Sequence, residues 1–156
     1  MKSRNILLIV IPIIAISIAL YALGPDLPDY NQQAVPLIVK DAISHYSIVG
    51  QDAFADYSTD PRFRDGQIYV FVTGPDDVIM AHGANQDLIG VKSTTLVDKM
   101  GTNIGDLIRQ GATPEGDWVE YYFTEPSTGD ILLKSSYVQT HDGYIFGAGY
   151  YHTPDS

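Results

Sequence analysis

Few residues in the chain are equipped for chemistry, and the most unusual is Lys134, which sits inside ILLKSSYV, a run otherwise apolar, small or aromatic. A lysine there has two readings: a cation at a solvent edge, or an ammonium turned inward to meet a carboxylate in a cavity. His82 closes the run VIMAH. At a strand end its ring either bonds a backbone group or donates to an anion. Arg109 lies in a short helical patch, Ile104 to Gln110. Its guanidinium has the fork to close over a carboxylate, although an exposed helix-face arginine is the commoner case. Machinery for turnover is missing from this set. His45, His141 and His152 fall on a helix pattern, a turn and the tail, with no H-x-x-x-H or H-E-x-x-H spacing, no Gly-x-Ser-x-Gly elbow and no phosphate loop. Asp76 and Asp77 suit a turn and lack the spaced oxygen ligands of a calcium loop. No catalytic residue, metal site or cofactor is therefore assigned, and the chain reads as a binding protein rather than an enzyme.

The elements that must position these residues are legible from periodicity. Val35, Ile38, Ala42, Tyr46, Val49, Ala53 and Tyr57 recur every three or four residues, which predicts a long helix from Ala34 to Tyr57 with Pro36 in its first turn. Gly50 weakens it and marks a bend or break. QIYVFVT, Gln67 to Thr73, and Val78 to His82 then form a hairpin around Gly74-Pro75-Asp76-Asp77. Asp117 to Thr124, Asp130 to Gln139 and Tyr144 to Tyr151 read as three strands with connections short enough for antiparallel pairing. The sum is α+β: a long N-terminal helix packed on one face of a five-stranded antiparallel sheet. The other face is left to the segment from Gly83 to Gly116, which is too polar and loop-like for a solid layer and so is where a cavity is expected. Strand alternation puts Lys134 with Leu132 and Ser136, opposite Ile131, Leu133, Ser135 and Tyr137. It likewise groups Trp118 with Glu120 and Tyr122, opposite Val119, Tyr121 and Phe123. Lys134 and Tyr137 can therefore serve one ligand only if a bulge intervenes.

Ile6 to Leu23 is eighteen residues without a charge, enough for a transmembrane helix across a hydrocarbon core of roughly 30 Å. Lys2 and Arg4 precede it and no base follows until Lys40, so residues 1–5 are expected in the cytoplasm, 6–23 as the anchor, 24–33 as a linker, and the rest outside. A cleaved signal peptide is the competing reading. The apolar stretch exceeds the usual signal core of about 7 to 15 residues, and Pro25 follows the one tidy small-residue site, so an uncleaved anchor is favoured. The chain carries 9 Lys and Arg against 19 Asp and Glu, a net charge of −10. Such a surface repels phosphate backbones and excludes nucleic acid as a partner. There is no cysteine, so stability rests on packing alone.

GQIYVFV, VIMAHGANQDLIGV, DKMG, GDWVEYYFTEPSTG, KSSYV and YIFGAGYY follow in the order and spacing of the single-Cache family, the extracytoplasmic sensor domain of chemoreceptors and histidine kinases, which the chain resembles from about Ala34 to Tyr151. The resemblance implies a PAS-like sheet and a pocket for a small organic molecule, often a short carboxylate, within a domain spanning residues 34–152. It turns Lys134 toward the ligand carboxylate through the lysine-x-serine-tyrosine stretch, which ends at Tyr137, and sets Tyr69, Trp118 and Tyr121 beside the pocket with His82 and Arg109. It also implies either a homodimer through the long helix or a separate signalling partner. Gly83 stands where the family usually has proline, and the chain ends five residues after Tyr151, where family receptors continue into a second membrane helix and an output module. Two functions follow as expectations: a membrane-anchored sensor read out by a partner protein, or a surface assembly domain that kept the fold and lost the ligand. Protease added to intact cells is expected to release the domain and leave the tether in the membrane fraction; recovery of a soluble form beginning at Pro25 overturns the anchor.

Overall fold

A computed structural model describes residues 29–153. The expected membrane helix lies outside them, and among the described residues no helix is long and apolar enough to cross a membrane.

Helix α1 runs Tyr30–Val49, beginning inside what the sequence reading assigned to the linker. The Asp29 side chain accepts from the Asn31 amide at 3.1 Å, and the Tyr30 hydroxyl donates to the Asp65 carboxylate at 2.6 Å, so the helix gains a cap and a tether that hydrophobic periodicity does not register. Pro36 consequently lies inside the helix, not in its first turn. Val35, Val39, Ala42 and Tyr46 form its buried stripe. At Gly50, φ is +66°, which ends α1 and leads through the 3-10 turn Gly50–Asp52 into α2, Ala53–Thr59. That break turns Phe54 and Tyr57 back onto the sheet. Tyr57 is buried, its hydroxyl donates to the Ala42 carbonyl at 2.8 Å, and its ring meets Phe63 edge-on at 4.8 Å.

The sheet has six strands, one more than expected: β1 Arg64–Asp65, β2 Ile68–Thr73, β3 Ile79–His82, β4 Asp117–Thr124, β5 Ile131–His141 and β6 Tyr144–Tyr151. The additional strand is β1, which turns at Gly66, φ +58°, and pairs with the start of β2. Its two exposed residues have no apolar alternation to announce it. β3 pairs with the other end of the same β2 edge, and the remaining order is β2-β6-β5-β4, all antiparallel. The last strand therefore lies at the centre of the sheet, between β2 and β5.

Alternation divides the sheet into two cores. Ile68, Val70, Val72, Phe146, Ala148 and Tyr150 face the helices. The opposite face carries Phe71, Val119, Tyr121 and Val138 against Ile104 and Ile108 of α3, Ile104–Gly111. Between β3 and α3 the insert is mostly irregular. Thr95 to Met100 holds the end of the 3-10 turn Ser93–Thr95 and a loop whose Asp98 carboxylate accepts from the Met100 and Thr102 amides at 2.8 and 2.9 Å. That carboxylate takes backbone donors a helix would have used.

Two glycines of β6 let side chains lie flat on this second face. A Cβ on Gly147 would fall 2.3 Å from the Phe71 ring, and one on Gly149 would fall 2.5 Å from the Ser135 carbonyl oxygen and 2.9 Å from Lys134 Cε. Gly149→Ala is expected to destabilise the chain by about 1–3 kcal/mol, because a strand backbone has no room to yield. Denaturant unfolding reads this directly, and an unchanged midpoint would show that the β5–β6 spacing relaxes.

Candidate functional site

The second face supplies the floor of a cavity and the irregular insert its roof. Register fixes the floor: Tyr69 pairs with Gly149, Phe71 with Gly147, Ser136 with Gly149, and Tyr121 with Lys134. Lys134, Phe71, Thr73, Tyr121 and Phe123 from the floor, with His82, Ser93, Leu96, Ile104 and Ile108, line a cavity of about 30 Å³. That is room for a few heavy atoms. A larger groove of about 440 Å³, bounded by Tyr69, Asn85, Leu88 and Glu125, shares His82, Leu96 and Phe123 with it. Those three side chains stand between the cavity and the outside.

Lys134 is 1% exposed and lies in strand β5 with no register shift on either side. Its stem passes over Gly149, where the missing Cβ leaves the space. The ammonium then sits 3.9 Å from the Tyr69 ring centroid, 5.1 Å from Tyr151, 5.5 Å from Phe71 and 5.7 Å from Phe123. Among the described residues no carboxylate lies within ion-pair distance of it. The aromatic faces attract the cation but do not replace its hydration, so burial pulls the amine down to about 7. Tyr69 is held in place from behind. Tyr151 gives its proton to the Thr124 carbonyl at 2.8 Å, so Tyr69 donates to the Tyr151 oxygen at 2.9 Å.

His82 is likewise buried, with its ring 4.9 Å from that of Tyr69. The Asn85 amide donates to Nδ1 at 3.0 Å, which leaves the proton of the neutral ring on Nε2. Burial first, and the Lys134 charge second, push the imidazole down to about 3. The site thus offers an ammonium and a neutral imidazole donor to one small anion. Tyr121 completes the floor, its hydroxyl 3.0 Å from Ser136 Oγ.

Of the residues singled out from sequence, Tyr69, His82, Tyr121 and Lys134 meet around this space, and three others lie elsewhere. Trp118 and Tyr137 occupy the helix-side face, with ring centroids 5.6 Å apart and Tyr150 6.0 Å from Trp118. No bulge interrupts β5, so alternation holds Tyr137 opposite Lys134, and its hydroxyl donates to the Glu115 carbonyl at 2.6 Å. Arg109 is half-exposed and bonded to Asp77, at 2.8 Å, and to Asp106, so both arms of its fork are engaged at the surface. Phe71, Thr73, Ser93 and Phe123 are lining residues that sequence reasoning passed over. Alternation from Tyr69 would have found Phe71 and Thr73; Ser93 sits in an aperiodic turn and carries no such signal.

Solved structures that share this fold include sensor domains of chemotaxis proteins. A methyl-accepting chemotaxis protein from Vibrio parahaemolyticus superposes with a TM-score of 0.66 at 15% identity, covering 77% of this chain and 87% of that one. A Cache chemosensory domain described for carboxylic acid recognition gives 0.62 at 19% identity over 86% and 97% of the two chains. The periplasmic sensor domain of a chemotaxis protein gives 0.58 at 19% identity over 91% and 99%. The chain belongs to the Single Cache domain 2 family, whose model matches residues 49–151. No curated protein sequence matches it.

Because Lys134 is held below its unfolded value of 10.5, the unfolded chain binds its proton more tightly than the folded one. Its contribution to stability is complete above about 10.5 and is lost as pH falls to about 7, with a total of several kcal/mol. Wild type is therefore expected to gain stability relative to Lys134→Met as pH rises through that window. Unfolding curves that stay parallel from pH 6 to about 10 would place the amine in water.

Proposed function

We propose that the chain is a membrane-anchored, extracytoplasmic sensor domain that binds a short carboxylate at Lys134 and passes its occupancy to a partner protein. One observation carries this: an ammonium group buried among aromatic rings, with no counter-ion among the described residues, beside a cavity. A buried charge of this kind is a liability to stability unless something supplies the missing anion. The Nε2 proton of His82 gives that anion a second donor, and the volume near 30 Å³ favours a compact ligand. Membership of the Cache family and the carboxylic acid recognition described for one structural relative support the same class of ligand. Ile6 to Leu23 serves as the anchor, and the positive residues before it leave the N-terminus in the cytoplasm. Output runs through α1, where Leu37 and Ile48 are exposed at 60% and 82% and lie on one stripe, a contact for a second copy or a signalling partner.

A thermal-shift screen of the 156-residue chain against short carboxylates, amines, amino acids and purines tests the ligand class, because a molecule that binds only the folded state raises its melting temperature. Carboxylates are expected to stabilise. Lys134→Met should then weaken their binding by about 2 to 5 kcal/mol, while the variant without ligand is as stable as wild type or more so. Unchanged carboxylate affinity in the variant, or no shift with any carboxylate, overturns the proposal and leaves an assembly domain with a Cache fold.

A further inference from the structure

We infer that the ligand carries a second, uncharged oxygen, a hydroxyl or keto group, and that Ser93 in the roof of the cavity recognises it. The inference rests on the carboxylate reading above. Ser93 is 3% exposed, lines the cavity that Lys134 enters from the floor, and its Oγ is buried with no hydrogen-bond partner among the described residues. The backbone of its turn is held on both sides. The Ser93 amide donates to the Asp77 carbonyl at 2.8 Å and its carbonyl accepts from the Leu96 amide at 3.0 Å. The start of α3 presses on the same turn, with Gly105 so close that a Cβ there would fall 2.4 Å from the Ser93 carbonyl carbon. The turn that carries the hydroxyl is thus held in place, and the hydroxyl's bonding capacity is unused.

Most other polar groups of the cavity are engaged or assigned, and Thr73 is the one further polar side chain in its lining. His82 Nδ1 takes the Asn85 amide, the Tyr121 hydroxyl is shared with Ser136, and the Lys134 ammonium awaits the carboxylate. An unsatisfied buried hydroxyl costs free energy in the empty protein, and a ligand oxygen that bonds it removes that cost on binding. Sites built in this way discriminate against analogues that lack the matching group, since the protein hydroxyl is then sealed in unbonded. Floor and roof therefore divide the recognition: charge at Lys134 and a neutral oxygen at Ser93.

The experiment is calorimetric titration of the 156-residue chain and of Ser93→Ala with two matched pairs, acetate against hydroxyacetate and propionate against 2-hydroxypropionate, and with 2-oxopropanoate. Wild type is expected to prefer the oxygen-bearing member of at least one pair, or 2-oxopropanoate over propionate, by about threefold to tenfold. Ser93→Ala should abolish that preference, bind the plain acids within about twofold of wild type, and melt no lower than wild type without ligand. Equal binding of all the acids, or a preference that survives in Ser93→Ala, overturns the role of Ser93 and leaves the carboxylate reading standing. Failure of every acid to bind removes both, and is separately visible as the absence of any effect of Lys134→Met.

Discussion

An ammonium group enclosed by aromatic rings sets the terms for the rest of this structure. Lys134 contributes its stem to the floor of the second face and its charge to a space bounded by Tyr69, Phe71, Phe123 and Tyr151. Attraction from several ring faces recovers part of the lost hydration and no more, which is why the amine sits near neutrality instead of far above it. The neighbouring residues are shaped around that compromise. Gly149 gives up its side chain so that the stem can lie flat, and the Tyr69–Tyr151–Thr124 hydrogen bonds hold the principal ring where the charge meets it.

Strand alternation lets one domain keep such a charge without losing its core. On the helix side the sheet packs a continuous aromatic and aliphatic layer, with Tyr46, Phe54, Tyr57, Phe63 and Phe146 in contact. That layer holds most of the buried apolar side chains, so it carries the fold. The opposite face has the smaller cluster around Phe71, Ile104, Ile108 and Val138, covered by an insert too irregular to fill every gap. The main core and the proposed binding site thereby fall on opposite faces. Trp118 and Tyr137 belong to the first and Lys134 and His82 to the second.

The insert has a division of labour of its own. Its loops are pinned by side chains acting as caps, Asn85 on the Asp87 amide, Asp98 on Met100 and Thr102, and Asn103 on Asp106. Arg109 closes the roof from outside by joining Asp77 of the first hairpin to Asp106 of α3. These are local polar contacts that hold a roof over the sheet without adding apolar mass beneath it.

By itself the sequence determined the class of the fold, the helix with its break at Gly50, the five longer strands, and the parity that sets Lys134 against Tyr137. Each of these is a repeat of period 2 or 3.6, or a local turn signal, and such patterns are written in neighbouring residues. It also carried the family, through motifs in order, and brought forward Tyr69, His82, Tyr121 and Lys134 as candidates, which the structure gathers around one space. Only the tertiary structure decided that β6 closes against β2, that β1 adds a sixth strand, and that Arg109 is spent on Asp77, a residue 32 positions away. Trp118 fell on the helix-side face for the same reason that Lys134 fell on the other. Parity relates residues within a strand, but which face meets the helices is settled by the pairing of strands far apart in the chain. Ser93 was illegible for a further reason: in an aperiodic turn, the place of a side chain is set by what holds and packs against the turn, here Asp77, Leu96 and Gly105, and not by a repeat in the sequence.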